Sequence, residues 1–226
     1  MTAATTVQFT SVYRAQETRS MYIPEFNRVR DHADTVSFVQ ANPFAILISA
    51  SDKGPLATHI PILAREADNQ MVLHGHMAKA NPHWGLLQSG QESLAIFHGP
   101  HAYISPSLYE SRESVPTWNY AAVHVYGHAR IVTDLEHLME EVREIIHAFD
   151  PSYFAQWSSL NDKFRYGMLK QIVGFEMVAT RIEAKFKISQ NRSKADQAAV
   201  IDSLAQSSDS AAAGIAELMK KQGLGV

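Results

Sequence analysis

Residues 97–132, FHGPHAYISPSLYESRESVPTWNYAAVHVYGHARIV, decide how the rest of the chain is read. They read as a strand, a loop bounded by Pro106 and Pro116, and a second, longer strand over 117–132. Val123 and Val125 fall on one side of that second strand, and His124, Tyr126 and His128 on the other. This is the period of two of a half-buried strand. The connecting loop, SPSLYESRESVP, exceeds an ordinary hairpin turn, and loops of that length are often functional or disordered. Tyr103, Tyr109, Trp118, Tyr120 and Tyr126 crowd the same region. Amphipathic aromatics in a cluster suit a planar ligand or a subunit interface. Taken alone, the pattern favours a plain sheet core with a surface loop.

Outward from this stretch the chain alternates short strands and turns. Asp31 is placed to cap a helix that Asn42-Pro43 stops. Phe44–Ala50 and Leu56–Leu63 read as strands, the second interrupted by Pro61, which implies an edge, a bulge or a strand end. A turn is expected over Arg65–Gln70 and a strand over Met71–His76. Asn81-Pro82 reads as the start of a helix, with asparagine as N-cap and proline at the first helical position. That helix ends near Ser89-Gly90, and Leu94–Phe97 returns to strand. On the far side, Asp134 caps a helix with an apolar stripe from Leu135 to Ile146, ended by Asp150-Pro151. A helix over Asn161–Val173 and a strand over Gly174–Ile182 follow. Ser193 and Asp196 have capping-box spacing, and a last helix runs over 210–221. A meander of short strands joined by turns argues for an antiparallel sheet or barrel.

GPHAYISPSLY followed by VPTWNYAAVHVYGHARI closely resembles the PaiB-type family of FMN-binding negative transcriptional regulators. Three more blocks carry the resemblance in order: MYIPEF, HGHMAKANPHW and KFKISQNR. Together they cover roughly Met21 to Leu204. The resemblance implies a mainly β fold with peripheral helices (α+β), an antiparallel FMN-binding split β-barrel related to pyridoxamine-phosphate oxidases and flavin reductases. It places a flexible N-terminal extension at 1–20, the split-barrel FMN-binding domain at 21–192 and a C-terminal helical tail at 193–226. It also implies a homodimer with FMN at the interface.

The block HGHMAKANPHW sets a strand end, a lysine and a helix start in succession. A helix N-terminus offers unpaired N–H groups and a positive dipole to a phosphate. His74 and His76, two apart, project from one face of a strand. By resemblance, His74, His76, Lys79 and Asn81 hold the FMN phosphate end, and Thr58, His59 and Ile60 of THIPIL flank the isoalloxazine. Trp118 and Asn119 of PTWNY pack on the flavin, and Lys187, Gln190 and Asn191 of KFKISQN close over it from the same or the second subunit. Read without the family, these are an N-capped helix with an exposed lysine, an edge strand with a solvated histidine, and a polar loop after a strand.

The chain has 226 residues, is 46% hydrophobic, carries a formal net charge of −3 and contains no cysteine. The length suits one domain with a sizeable core. No apolar run is long enough to span a bilayer. Without cysteine there are no disulfides, thiolate metal sites or cysteine nucleophiles, and the expected location is the cytoplasm. The charge lacks the basic footprint of a DNA-binding protein, so a DNA or regulatory protein partner is inherited from the resemblance alone. Three functions follow: a flavin-dependent regulator, an FMN-dependent oxidoreductase, and a haem-binding protein. No residue stands out as catalytic. The His74-Gly75-His76 pair lacks a third ligand, and His98 and His101 flank a Gly-Pro turn, so no metal site is expected.

Overall fold

The computed structural model describes residues 20–67 and 70–226. The extension expected over 1–20 therefore lies outside the described residues except for Ser20, as does the centre of the turn expected over Arg65–Gln70. Seven strands form one sheet: β1 (Phe44–Ser49), β2 (Leu56–Pro61), β3 (Leu63–Ala67), β4 (Gln70–Ala78), β5 (Glu92–Ile104), β6 (Thr117–Val132) and β7 (Ile172–Lys187). Their order is β2-β1-β5-β6-β7-β4-β3, and every neighbouring pair is antiparallel.

The topology closes the sheet. β2 and β3 lie at opposite margins, yet Ile62 alone separates them in the chain. That connection requires the sheet to curl until its margins meet. The seam is visible at Gly75 of β4, where a Cβ would stand 2.9 Å from the carbonyl oxygen of Pro61. Pro61 has no N–H for a ladder, so the break expected there becomes the corner at which the strand crosses from one margin to the other. Ile62 turns its N–H to Pro43 O at 2.8 Å.

Inside the barrel, Leu47, Ile62, Leu73, Phe97, Val123, Val125, Phe175 and Met177 are fully buried. Each such side chain contributes roughly 1.5–3 kcal/mol by leaving water. Helices α1 (His32–Ala41), α6 (Lys194–Ala205) and α7 (Ser210–Lys221) add Val39, Val200, Ile215 and Met219 to the same cluster. The C-terminal helices thus help build the barrel's core. Ser193 caps α6 through Asp196 N–H at 3.1 Å, but the Asp196 carboxylate reaches Glu110 N–H at 2.9 Å instead of closing the box.

A second cluster joins Leu138, Met139, Ile146, Trp157 and Leu169 to Val132. It holds α3 (Leu135–Phe149), α4 (Phe154–Ser159) and α5 (Asp162–Leu169) against the sheet; the short α2 (His83–Gln88) follows β4. α5 stops before the expected Val173 because Ile172 and Val173 pair with Ala78 and Met77 of β4. The strand expected to end at Ile182 continues to Lys187, because Lys185, Phe186 and Lys187 pair with Ala122, Ala121 and Tyr120. Among the described residues no helix is long and apolar enough to cross a membrane.

Candidate functional site

Thr58 and Asn81 meet where β2 passes the turn after β4. Asn81 Nδ2 donates to Thr58 Oγ1 at 3.3 Å, and Asn81 Oδ1 accepts the N–H of His83 at 3.0 Å. Thr58 Oγ1 also shares a 2.8 Å hydrogen bond with His83 Nδ1. His83 Nε2 in turn shares one with Ser49 Oγ at 2.9 Å, and Ser49 meets Ser93 at 2.7 Å. His83 is wholly buried, and burial holds its pKa below the ordinary imidazole value. This relay anchors Thr58 and Asn81 to the barrel wall. His83 and Ser49 were missed in the sequence; the only signal for His83 was its place directly after Asn81-Pro82.

The helix start differs from the expectation. α2 begins at His83 and has six residues, with Pro82 at the cap position and no side-chain cap bond from it. Asn81 closes a two-residue turn with its N–H to Ala78 O, and its side chain still caps the helix start through the N–H of His83. The dipole of so short a helix is small, so anion recognition here falls to side chains. Lys79 is exposed. Its backbone N–H donates to Gln171 O at 2.7 Å and its carbonyl accepts from Trp84 Nε1 at 3.0 Å, while its ammonium has no partner among the described residues. His59 is exposed, 6.4 Å from the Phe44 ring. Ile60 is buried, which leaves only its backbone for a ligand.

His74 and His76 do share a face of β4, but that face meets α3. His74 Nε2 lies 3.5 Å from Glu144 Oε2, and His76 Nδ1 lies 3.4 Å from Glu141 Oε1. Beside them Glu176 pairs with Arg65 at 2.5 Å and with Arg130. Burial would raise the Glu176 pKa, but Arg130 and Arg65 outweigh it and hold the carboxyl below its usual value. His74 is pushed down by burial, against the pull of Glu144 and Glu141. A surface this rich in carboxylates repels a phosphate, so the two histidines are set apart from the Lys79 group.

The remaining residues gather at the other end of the β6–β7 ribbon. Trp118 is exposed, 6.0 Å from the Tyr103 ring. Asn119 is buried and donates to Ser189 Oγ at 2.9 Å. The Lys187 ammonium donates to Thr117 Oγ1 and, at 2.7 Å, to Trp118 O. Gln190 uses both halves of its amide within the loop, accepting from Ile188 N–H at 2.8 Å and donating to Phe186 O. Asn191 lines a cavity of about 140 Å³ with Asn119 and Lys187. The outward face nearby carries Tyr120, His124, Tyr126 and Lys185, with the Lys185 ammonium 5.2 Å from the centre of the Tyr120 ring.

The twelve residues therefore form three groups. Lys79 bonds to Gln171 at the start of β7, and Lys187 ends that strand, which has sixteen residues. At about 3.3 Å per residue that is roughly 50 Å of extended chain. Curl shortens it, but a mononucleotide on Lys79 does not reach Lys187 of the same chain.

A protein-family model described as "Putative FMN-binding domain" matches residues 21–181. The protease synthase and sporulation protein PAI 2 of Bacillus subtilis is 38% identical over 202 residues, 88% of this chain and 97% of its own. Among solved structures, a flavocytochrome from Azotobacter vinelandii superposes with a TM-score of 0.54 at 14% identity, covering 71% of this chain and 69% of its own. The FAD and haem binding protein from Mycobacterium smegmatis does so with a TM-score of 0.54 at 13% identity, covering 71% and 73%. At such identities these two establish the split-barrel fold alone.

Proposed function

The chain belongs to the FMN-binding domain family that includes PAI 2 of Bacillus subtilis, and from that premise we propose that it binds FMN and acts as a flavin-dependent regulator of the PaiB type. Flavin is the ligand class of the family. The observation that carries FMN in particular is the Lys79 ammonium, without a partner among the described residues, in the same turn as the hydrogen-bonded Asn81–Thr58 pair. A dianionic phosphate needs several donors at once, and these three residues offer a charge, an amide and a hydroxyl. The ring lies along Thr58–Ile60 of β2, a margin strand whose ladder partners among the described residues are all in β1. Bound flavin supplies redox chemistry; the chain's own residues bind and orient it.

The same proposal includes a homodimer. Trp118, Lys187 and Asn191 stand too far along the β6–β7 ribbon to serve their own chain's Lys79 group, so the partner subunit supplies them, with the buried Asn119 holding the loop at Ser189. The exposed aromatic face at Trp118 and Tyr103 is suited to that contact. The resemblance to the PaiB-type family of regulators, together with the 38% identity to PAI 2 over 88% of this chain, supports regulation over an oxidoreductase. The net charge of −3 favours a regulatory protein partner over DNA.

Subunit mixing tests the reading. Lys79→Ala and Trp118→Ala each damage every site in their own homodimers. A mixed dimer restores one intact site of its two, and random exchange of equal amounts makes half of the dimers mixed, so flavin binding returns to about a quarter of the wild-type occupancy. Recovery of no sites on mixing would show that both residues serve one chain's site. Wild-type protein that shows no flavin absorption bands after reconstitution with FMN would sink the cofactor itself.

A further inference from the structure

We propose that the cavity between the end of β7 and the loop preceding β6 is a subsite for a small anionic group, a phosphate or a carboxylate, held by Arg192 and Lys187. It is argued from this chain alone and does not depend on the flavin reading.

Arg192 carries the inference. Its guanidinium lies over the Tyr109 ring, with Cζ 3.9 Å from the ring centre. It has no ion pair or side-chain hydrogen bond among the described residues. Its backbone is pinned: the N–H donates to Ser189 O at 3.0 Å, and the carbonyl accepts from Gln197 Nε2 at 3.1 Å. A half-buried guanidinium, held flat and without a carboxylate, is a pre-set fork for an oxyanion. Lys187 lines the same cavity. Two of its three N–H donors go to Thr117 and Trp118, which leaves one. Burial, then repulsion from Lys185, hold its pKa below the usual lysine value; an anion would offset both.

The rest of the wall agrees. No carboxylate lines the cavity: Asp196, four residues beyond Arg192, is turned to Glu110 N–H at 2.9 Å, and Glu110 and Glu113 of the facing loop are exposed. Tyr109 lines it too, 7% exposed, with a hydroxyl that has no hydrogen-bond partner. Ser189 Oγ accepts from Asn119, so its own proton is free to donate. Ser189 also holds a φ of +68°, a left-handed conformation that costs a non-glycine residue free energy and is concentrated at ligand sites. About 140 Å³ accommodates a phosphate-sized group, since a water needs roughly 10–15 Å³ of such volume.

The test uses full-length, flavin-free protein. Its thermal midpoint is measured in phosphate, acetate and chloride at equal ionic strength, and the ³¹P line width of inorganic phosphate is followed on addition of protein. Phosphate, acetate or both should raise the midpoint saturably above chloride, and phosphate binding should broaden the ³¹P line. Arg192→Gln and Lys187→Gln should each remove the response, and Arg192→Lys should keep part of it. Comparison with chloride is internal to each variant, so a general loss of stability does not imitate the effect. No excess over chloride in wild type, or an undiminished response in Arg192→Gln, would overturn the subsite. Repetition with FMN or riboflavin bound identifies the anion's source. A phosphate response abolished by FMN but not by riboflavin assigns the subsite to the flavin's own phosphate, and one that persists with FMN assigns it to a second ligand.

Discussion

Lys79 and His83 divide the labour of the candidate site, one by charge and the other by position. Because the Lys79 ammonium has no partner among the described residues, its removal strands no buried group among them. Lys79→Ala should therefore weaken FMN by about 1.5–3 kcal/mol, roughly tenfold to a hundredfold or slightly more, and leave riboflavin nearly unchanged. Fluorescence titrations with both flavins decide this; equal weakening would assign Lys79 to the ring pocket or the fold. His83 is read through pH. Burial alone holds its pKa below 6.5; burial leads the downward shifts of His74 and His124 as well, against nearby glutamates. The unfolded chain therefore takes up the proton first as pH falls. The stability these groups contribute is full above about 6.5 and is lost below it, by up to about 1.4 kcal/mol per pH unit for each group. The thermal midpoint should fall between pH 7.5 and 5.5. His83→Asn should lower the midpoint at neutral pH and flatten its pH dependence; an unchanged slope would show that His83 takes up its proton equally in the folded and unfolded chain.

At the scale of elements, the β6–β7 ribbon is the frame that separates the two ends of the site. Its register slips by one residue between Tyr126 and Gly127, and the bulge bends both strands. Gly127 sits where a Cβ would come within 2.3 Å of Val178 O. A methyl there must displace backbone, so Gly127→Ala should cost at least about 1–3 kcal/mol, measured by urea unfolding. It should also weaken binding at both ends of the ribbon, because the bend aims them. Alternation in the sequence correctly placed Val123 and Val125 inside, and capping residues correctly placed the starts at Asp31, Asp134 and Ser193. The bulge was not legible, because a one-residue slip leaves the pattern of each strand intact and exists only in their pairing.

On the scale of the whole molecule, the proposed dimer makes stability and binding depend on concentration. An interface that completes two flavin sites should bury more than about 1,000 Å² in total. The thermal midpoint should then rise with protein concentration, and sedimentation should report a dimer at micromolar concentration. Trp118→Asp places a charge on the aromatic face and should give a monomer whose midpoint no longer changes with dilution. A wild-type monomer with flavin bound would defeat the composite site.

Local chemistry along the chain determined the elements, the family and the segments that matter, because capping, alternation and the four ordered blocks are properties of neighbours in sequence. Tertiary structure decided what those segments face. His74 and His76 lie within five residues of Lys79 in the chain, yet α3 covers them with Glu144 and Glu141. Lys187 and Asn191 lie in the family's flavin-closing block in sequence, yet within one chain they stand a full strand's length from Lys79. Arg192, one residue beyond the expected set, stacks on Tyr109 from a loop more than eighty positions earlier. Side-chain direction in a strand is local, but the surface it meets depends on which strands pair and where the sheet closes. The single residue Ile62 between the two margins sets that closure through contacts distant in sequence.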